Sequence, residues 1–476
     1  MFEPVIVPLW LMVLILLFAG ASFLSHFLFP SVRWFFRRRM ERAVEELNKR
    51  LERPIQPFKL VRRQDYVTRL VYDPQVMEAV ADYALTEKVP RSVAFAKAQS
   101  YAREIVPGFS TATYFGFAIA VARRLSRMFY SVHLGHGNDR ALKGVDPRSA
   151  VVFVMNHRSN MDYVLVTWVA ADRSALAYAV GEWAQVWPLK ALIRAMGAYY
   201  IRRRYSSPLY RAVLARYVQM SVQEGVTQAM FPEGGLSLTG AVGAPKKGLL
   251  HYIVRDFRPS GERDVVFVPV ALNYDRVLED RVLIRAGETG VRRFGVRLTT
   301  AAGWVARLAW QKLRGRFRPF GHAAVCYGEP LSLRDFVTHQ PGASTEVLAE
   351  VLMGRIRAAV PVLPVPLAAA ALVRLGGQAE GEALEATAEA LVEAACQRGA
   401  NLHLPGGTVQ GALKAGLDSL ELRGIVRRQD GGLRIAPGQA AALGYYAASV
   451  LQLLSEPTGE SPARSATLTL PEVSET

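Results

Sequence analysis

From Pro4 to Val32 the chain carries no acidic residue, lysine or arginine, and Val5 to Phe29 is almost continuously apolar. A bilayer core is crossed by roughly 20 apolar residues in helical form, so this stretch predicts a single transmembrane helix. Glu3 is the only charge before it, whereas Arg33, Arg37, Arg38, Arg39 and Arg42 follow. Basic residues flanking a span stay on the cytoplasmic side. That places the bulk of the chain in the cytoplasm, anchored at the cell inner membrane. A cleaved leader would show a positive start and a shorter apolar run.

Beyond the anchor, assigned to residues 1–32, the pattern is helical. Arg33 to Arg53 predicts a charged stem. Phe95 to Ile105 and Tyr114 to Tyr130 bear apolar residues at helical spacing, and all of 33–148 reads as a helical region. Tyr114 to Ala122, followed by Arg123, Arg124 and Arg127, suits a membrane surface or an ordinary buried helix equally.

The pattern switches at Ala150-Val-Val-Phe-Val-Met155, a continuous apolar run with β-branched residues, as in a strand buried on both faces. Gln228–Phe231, Val265–Ala271 and Ala323–Tyr327 read the same way. Helical segments lie between them, around Tyr163–Ala171 and Val186–Met196. This alternation predicts an α/β fold, with a mostly parallel sheet flanked by helices over 149–343. Residues 344–455 form a helical C-terminal region. Within it, Val362–Val373 carries two prolines and reads as a packed connection, not a second span. Thr408–Leu422 reads as a helix and Gly424–Ile435 as a hairpin. Residues 456–476, rich in Ser, Thr, Pro and Glu, predict a disordered tail.

With 476 residues, 51% of them hydrophobic, the chain can build a large core and more than one folding unit. A formal net charge of +17 points to a negatively charged partner: anionic lipid, a phosphorylated substrate or nucleic acid. The only cysteines, Cys326 and Cys396, each lie beside apolar residues. That excludes a disulfide framework and a cysteine-based zinc site, and both read as buried thiols.

The segment that carries chemistry is Asn156-His157-Arg-Ser-Asn-Met-Asp162, directly after the first buried strand. A strand-to-helix junction is a usual place for catalytic groups in α/β folds. A turn there lets Asp162 fold back on the imidazole, fix its tautomer and stabilise its charged form while it takes a hydroxyl proton. His251 and Asp256 have the same spacing but lie in Gly248–Phe257, a predicted helix. Positions five apart on a helix point about 140° away from each other, so that pair reads as structural. No Gly-x-Ser-x-Gly elbow is present, which favours direct attack by a substrate alcohol over an acyl-enzyme. Three more segments follow: Gly197-Ala-Tyr-Tyr-Ile-Arg-Arg-Arg204, whose guanidinium forks suit phosphate; Phe231-Pro-Glu-Gly-Gly-Leu-Ser-Leu-Thr-Gly240, a Gly-rich turn suited to an anion, with Lys246 and Lys247 close behind; and Val268-Pro-Val-Ala-Leu-Asn-Tyr-Asp-Arg276.

In this order and spacing the four segments resemble the glycerolipid acyltransferase superfamily, and within it the bacterial membrane-bound glycerol-3-phosphate acyltransferases. Tyr327-Gly-Glu-Pro330 and Tyr445-Tyr446 are similar too. The resemblance implies that His157 is the general base and Asp162 its partner. It implies an acceptor held by Arg202 and Arg203 with the Glu233 loop, and Arg158, Ser159, Gly234, Gly235, Ser237 and Lys246 join the substrate-binding set. No metal or cofactor is implied; acyl-CoA or acyl carrier protein is the acyl donor, membrane phospholipids are the surroundings, and nucleic acid is not a partner. Leu236 and Leu238 stand where the family usually has arginines associated with acceptor binding, and Asn156 departs from the family pattern. Two other acceptors stay open, 1-acylglycerol 3-phosphate and dihydroxyacetone phosphate. A different class, a membrane-tethered nucleic-acid binder, rests on the helix and hairpin of Thr408–Ile435 and explains none of the four segments.

Overall fold

In the computed structural model the described residues are 8–10, 12–16, 42, 44–56, 60, 63–135, 143–170, 174–181, 189–202, 207–291, 310–311, 313–429 and 432–455. Two compact units are distinguished, Met1–Ile55 with Asp172–Ser174, and Gln56–Ala171 with Ala175–Thr476. In the first, residues 12–16 and 44–48 are helical. Most of the predicted span Val5–Phe29, much of the stem and the whole predicted tail lie outside the described residues. Among the described residues no helix is long and apolar enough to cross a membrane.

The second unit opens with three helices, α1 (Arg63–Val71), α2 (Pro74–Thr86) and α3 (Arg91–Ile105). A π-helical turn, Ala112–Ala118, runs into α4 (Ile119–Phe129). The strand predicted at Ala150–Met155 is then the centre of the main sheet. Its strands are β1 (Ser131–Leu134), β2 (Ala150–Met155), β3 (Ala177–Gly181), β4 (Tyr199–Ile201), β5 (Gln228–Met230), β6 (Val265–Tyr274), β7 (His322–Tyr327) and β8 (Leu331–Ser332). Their order is β1-β7-β6-β2-β5-β3-β4, with β8 also on β6. Strands β6, β2, β5, β3 and β4 are mutually parallel, while β7 and β8 run antiparallel to β6. Every residue of β2 and β6 is buried, as the apolar runs Ala150–Met155 and Val265–Leu272 require, and Asn273 is buried with them.

The crossovers are helical: α5 (Met161–Val169) after β2, α6 (Leu189–Ala195) after β3, α7 (Pro208–Gln223) after β4 and α8 (Gly248–Arg255) after β5. Local sequence sets where they start. Ser207 caps α7 by accepting from Tyr210 N, and Pro208 occupies the first turn, where no N–H is needed. From β2 the chain crosses over β5's position to β3, whereas β6 lies on the other side. Strand order therefore reverses at β2, and the crevice outside its carboxyl end is where an α/β sheet places a ligand.

The C-terminal region holds α9 (Asp280–Thr289), α10 (Leu333–His339), α11 (Thr345–Ala358), α12 (Pro364–Arg374), α13 (Gly381–Gln397), α14 (Val409–Leu422) and α15 (Ala440–Leu454). The stretch read as a packed connection is α12, a helix buried on nearly all sides and packed against α14 and α15. Its prolines, Pro364 and Pro366, sit in the first turn, where the helix tolerates them. The hairpin is present as β10 (Val426–Gln429) and β11 (Gly432–Ile435), extended by β9 (Gln378–Ala379). One expectation is corrected: Cys326 is buried in β7, but Cys396 is exposed, because the last turn of α13 turns that position to solvent.

Candidate active site

Strand β2 ends at Met155 and α5 begins at Met161, so His157 and Asp162 face each other across one tight turn, closed by Asp162 N donating to Ser159 O at 3.0 Å. Asp162 Oδ2 lies 2.9 Å from His157 Nδ1 and also accepts from Arg158 N at 2.7 Å and Ser159 N at 3.0 Å. Its other oxygen accepts from the Tyr274 hydroxyl at 2.6 Å. A carboxylate offers about four lone-pair sites. With three of them taken by two amides and a phenol, the contact with the imidazole is satisfied only if the ring donates its Nδ1–H, since a carboxylate has no proton to give. The tautomer is thereby fixed, and Nε2 carries the lone pair. The imidazole is 3% exposed and Asp162 fully buried. Phe231 stacks on the imidazole at 4.1 Å and Tyr163 meets it edge-on at 5.5 Å.

Three strand ends converge on this turn. Asn156 pins β2 to β6 by pairing both ways with the Leu272 backbone, at 2.9 and 2.8 Å, which accounts for the amide before His157. The turn after β5 brings Glu233, whose Oε1 accepts from His157 N at 2.9 Å and Oε2 from Gly243 N at 3.1 Å. Burial pushes Glu233 up to about 7 against the pull of those two N–H groups. From the end of β6 come Tyr274 and Asp275. Asp275 accepts from His322 N at 2.7 Å and Val365 N at 2.9 Å, tying β7 and α12 to the same corner; burial raises it to about 7.

The other residues expected at the site take different places. Ser159 donates to Glu279 Oε2 at 2.7 Å, and Glu279 Oε1 accepts from Asn160 N and Nδ2, so Glu279 braces the turn from below α9. Ser237 N donates to His157 O at 2.8 Å and its hydroxyl to Ala241 O at 2.6 Å. Gly234 has φ +65°, and a Cβ there would lie 2.6 Å from Lys246 Cδ, so the Gly-rich turn is fitted to that lysine chain. Gly235 is half-buried in the same turn. Arg158 is buried: one guanidinium nitrogen donates to Gly240 O, the group lies over the Tyr445 ring at 5.0 Å, and Nε and Nη2 have no hydrogen-bond partner among the described residues. It clamps the Gly-rich loop to α15.

Arg202 is not in contact with this cluster. It pairs with Glu104 through Nε at 2.9 Å and Nη2 at 2.6 Å, and lies over the rings of Tyr101 and Tyr210. It stands at the carboxyl end of β4, three strand positions from β2. Arg203 lies outside the described residues. Leu236 and Leu238 are partly buried and pack against the core. The second His/Asp pair is apart, as helical geometry predicts: His251 is exposed and nearest Thr345 Oγ1 at 3.4 Å, whereas Asp256 faces Gln75 at 3.5 Å.

Glu279 and Glu104 were not legible as site residues from spacing, having no motif around them. Tyr274 was singled out with Asp275 in the fourth segment, but no role was read for it.

A His held by a buried Asp at the carboxyl end of a parallel strand is an arrangement suited to general-base chemistry. Residues 136–273 match the Acyltransferase family model, and 303–458 match the model of the glycerol-3-phosphate acyltransferase C-terminal region. The chain is 30% identical over 332 residues to the glycerol-3-phosphate acyltransferase of Pseudomonas entomophila (strain L48), covering 65% of this chain and 39% of that protein. It is 32% identical over 285 residues to the one from Ectopseudomonas mendocina (strain ymp), covering 59% and 33%. For Xanthomonas campestris the figures are 27% over 366 residues, 73% and 40%. The chain thus spans 40% or less of the length of these three curated relatives. Among solved structures, the 1-acyl-sn-glycerophosphate acyltransferase PlsC of Thermotoga maritima aligns with 51% of this chain and 77% of its own, at 19% identity and a TM-score of 0.31. By these two family models and these relatives, the chain is similar to the bacterial glycerol-3-phosphate acyltransferases.

Proposed function

We propose that the protein transfers a fatty-acyl group from a thioester, acyl-CoA or acyl carrier protein, to the sn-1 hydroxyl of glycerol 3-phosphate. The product is lysophosphatidate, and the reaction is the first step of phospholipid synthesis. The observation that carries this reading is the hydrogen bond from His157 to Asp162, which leaves Nε2 as the basic atom. Nε2 takes the hydroxyl proton as the alcohol oxygen attacks the thioester carbon. A C–O bond forms, the C–S bond breaks, and the imidazolium returns the proton to the departing thiolate. Asp162 keeps its charge throughout and stabilises the imidazolium. With the imidazole screened by Phe231 and Tyr163, bulk water is a poor competitor for the thioester.

The acceptor is that named for the relatives, glycerol 3-phosphate, and the chain's basic groups support it. This reading assigns the phosphate to Arg202, Arg203 and Lys246 with the Glu233 loop. An anchor at Val5–Phe29, with the catalytic unit on the cytoplasmic side of the inner membrane, belongs to the same proposal and rests on the flanking charges.

The test is turnover of labelled acyl-CoA and acyl carrier protein thioester by the full chain with glycerol 3-phosphate, dihydroxyacetone phosphate and 1-acylglycerol 3-phosphate side by side. Preference for the first, with acylation at sn-1, is expected; preference for the third overturns the acceptor. A reporter fused after Thr476 should be active only in its cytoplasmic form.

A further inference from the structure

Three histidines from distant parts of the chain meet near the β1 edge of the sheet, opposite the β4 edge. His133 in β1 stands across from Ala324, and His322 at the start of β7 stands across from Ser131. They are diagonal neighbours on one face of a parallel pair, with His133 Nε2 2.9 Å from His322 Nδ1. His403 arrives from the C-terminal region. Its backbone is held by a parallel bridge in which Val362 N donates to Asn401 O at 2.8 Å and His403 N donates to Val362 O at 3.0 Å. Its ring stacks on His133 at 3.4 Å and lies 4.9 Å from His322. His403 Nε2 is buried with no hydrogen-bond partner among the described residues.

We infer that His133, His322 and His403 form a binding site for one zinc ion, which would tie β1, β7 and the segment after α13 together. One ring nitrogen of each histidine lies within 4.8 Å of those of the other two. Zinc holds imidazole nitrogen at ~2.0–2.1 Å, which puts tetrahedral neighbours ~3.4 Å apart; small ring rotations close the difference. At neutral pH an unprotonated imidazole keeps a lone pair to give a metal. An orphaned buried nitrogen beside two neutral imidazoles is the pattern a cation relieves. The fourth position is left to water. None of these residues takes part in the proton transfer at His157, so the site has a structural role independent of the proposed reaction.

The full chain in detergent, stripped with chelator, should take up one equivalent of Zn²⁺ and show a raised melting temperature. Co²⁺ in its place should give the visible absorption of a four-coordinate nitrogen-ligated site. His133→Gln and His403→Gln should each weaken zinc binding by more than ~10–100-fold, the loss typical of merely removing an outer-shell partner. His157→Ala should retain the full equivalent. Absence of stoichiometric Zn²⁺ or Co²⁺ uptake by the unsubstituted chain overturns the inference whatever the variants do. So does uptake that persists in His403→Gln or vanishes in His157→Ala.

Discussion

The Tyr274 hydroxyl donates to Asp162 Oδ1 at 2.6 Å, joining residues 112 positions apart. The acid that orients His157 is thus itself oriented from the end of β6. Burial, and then the neighbouring Asp162 charge, raise the Tyr274 hydroxyl far above its ordinary value, so it stays a donor. Tyr274→Phe removes that donor and leaves one carboxylate oxygen unsatisfied. A buried hydrogen bond to a charged group is worth ~1.5–3 kcal/mol, so kcat should fall at least ~10-fold. The KM for the acceptor should hardly move, because Tyr274 acts through Asp162. A steady-state comparison decides it: a change confined to KM would show that Tyr274 acts elsewhere.

The two His/Asp pairs make an internal control. His157→Ala should lower transfer ~10²–10⁴-fold, the usual cost of losing a general base. Asp162→Asn should be comparably severe. Asparagine cannot accept from the imidazole and the Tyr274 hydroxyl while also serving two backbone amides, so the ring loses its tautomer and its countercharge. His251→Ala should leave turnover unchanged, since that ring is exposed and nearest a threonine hydroxyl. Loss of activity in His251→Ala with retention in His157→Ala would reverse the assignment.

Stability should depend on pH in a direction set by Glu233 and Asp275. Both carboxyls are raised by burial to about 7, from ordinary values of 4.5 and 3.8. Folded, they bind more protons than unfolded between those limits. Their contribution to stability is therefore largest at the acid end and falls as pH rises towards 7. Melting temperature should drop from pH 5 to pH 7.5, and the drop should shrink in Glu233→Gln and Asp275→Asn. An unchanged slope in both variants would mean that neither carboxyl carries the linkage.

Legibility followed locality. The buried strands at Ala150–Met155 and Val265–Tyr274 were readable because a strand covered on both faces has no polar alternation to disguise it. The His157–Asp162 pair was readable because both partners lie in one turn. The bracing was not. Glu279 serves Ser159 and Asn160 from 119 or 120 positions away, and no spacing rule joins an acid at a helix start to a distant turn. Arg202 stood out as a guanidinium after an aromatic strand, but its bidentate partner Glu104 sits on α3, in a segment whose pattern speaks only of helix. The histidine trio was equally invisible: its members lie 189 positions apart for one pair and come from strands and a bridge, not from a ligand-spacing motif.

The acceptor's phosphate provides the last prediction. Arg202 follows β4, three strand positions from β2, and strands lie about 4.8 Å apart, so its backbone is roughly 14 Å across the sheet edge from that of His157. Glycerol 3-phosphate spans only about 6 Å from phosphorus to its far hydroxyl, as bond lengths of ~1.5 Å dictate. The remaining distance must be covered by side chains, and an extended arginine is long enough to do it only when its direction is controlled. Glu104 and the rings of Tyr101 and Tyr210 supply that control in the fold. Arg202→Ala should therefore raise the KM for glycerol 3-phosphate about 10-fold or more, since a charge-assisted contact is worth ~1.5–3 kcal/mol, and leave the KM for the acyl thioester alone. Glu104→Gln keeps the guanidinium but loosens its aim, so it should raise the same KM by a smaller factor. A fall in KM in Glu104→Gln would mean that the glutamate competes with phosphate for Arg202 instead of positioning it. An unchanged KM in Arg202→Ala would remove Arg202 from acceptor binding altogether, and shift the search to Lys246 beside the Gly234 turn.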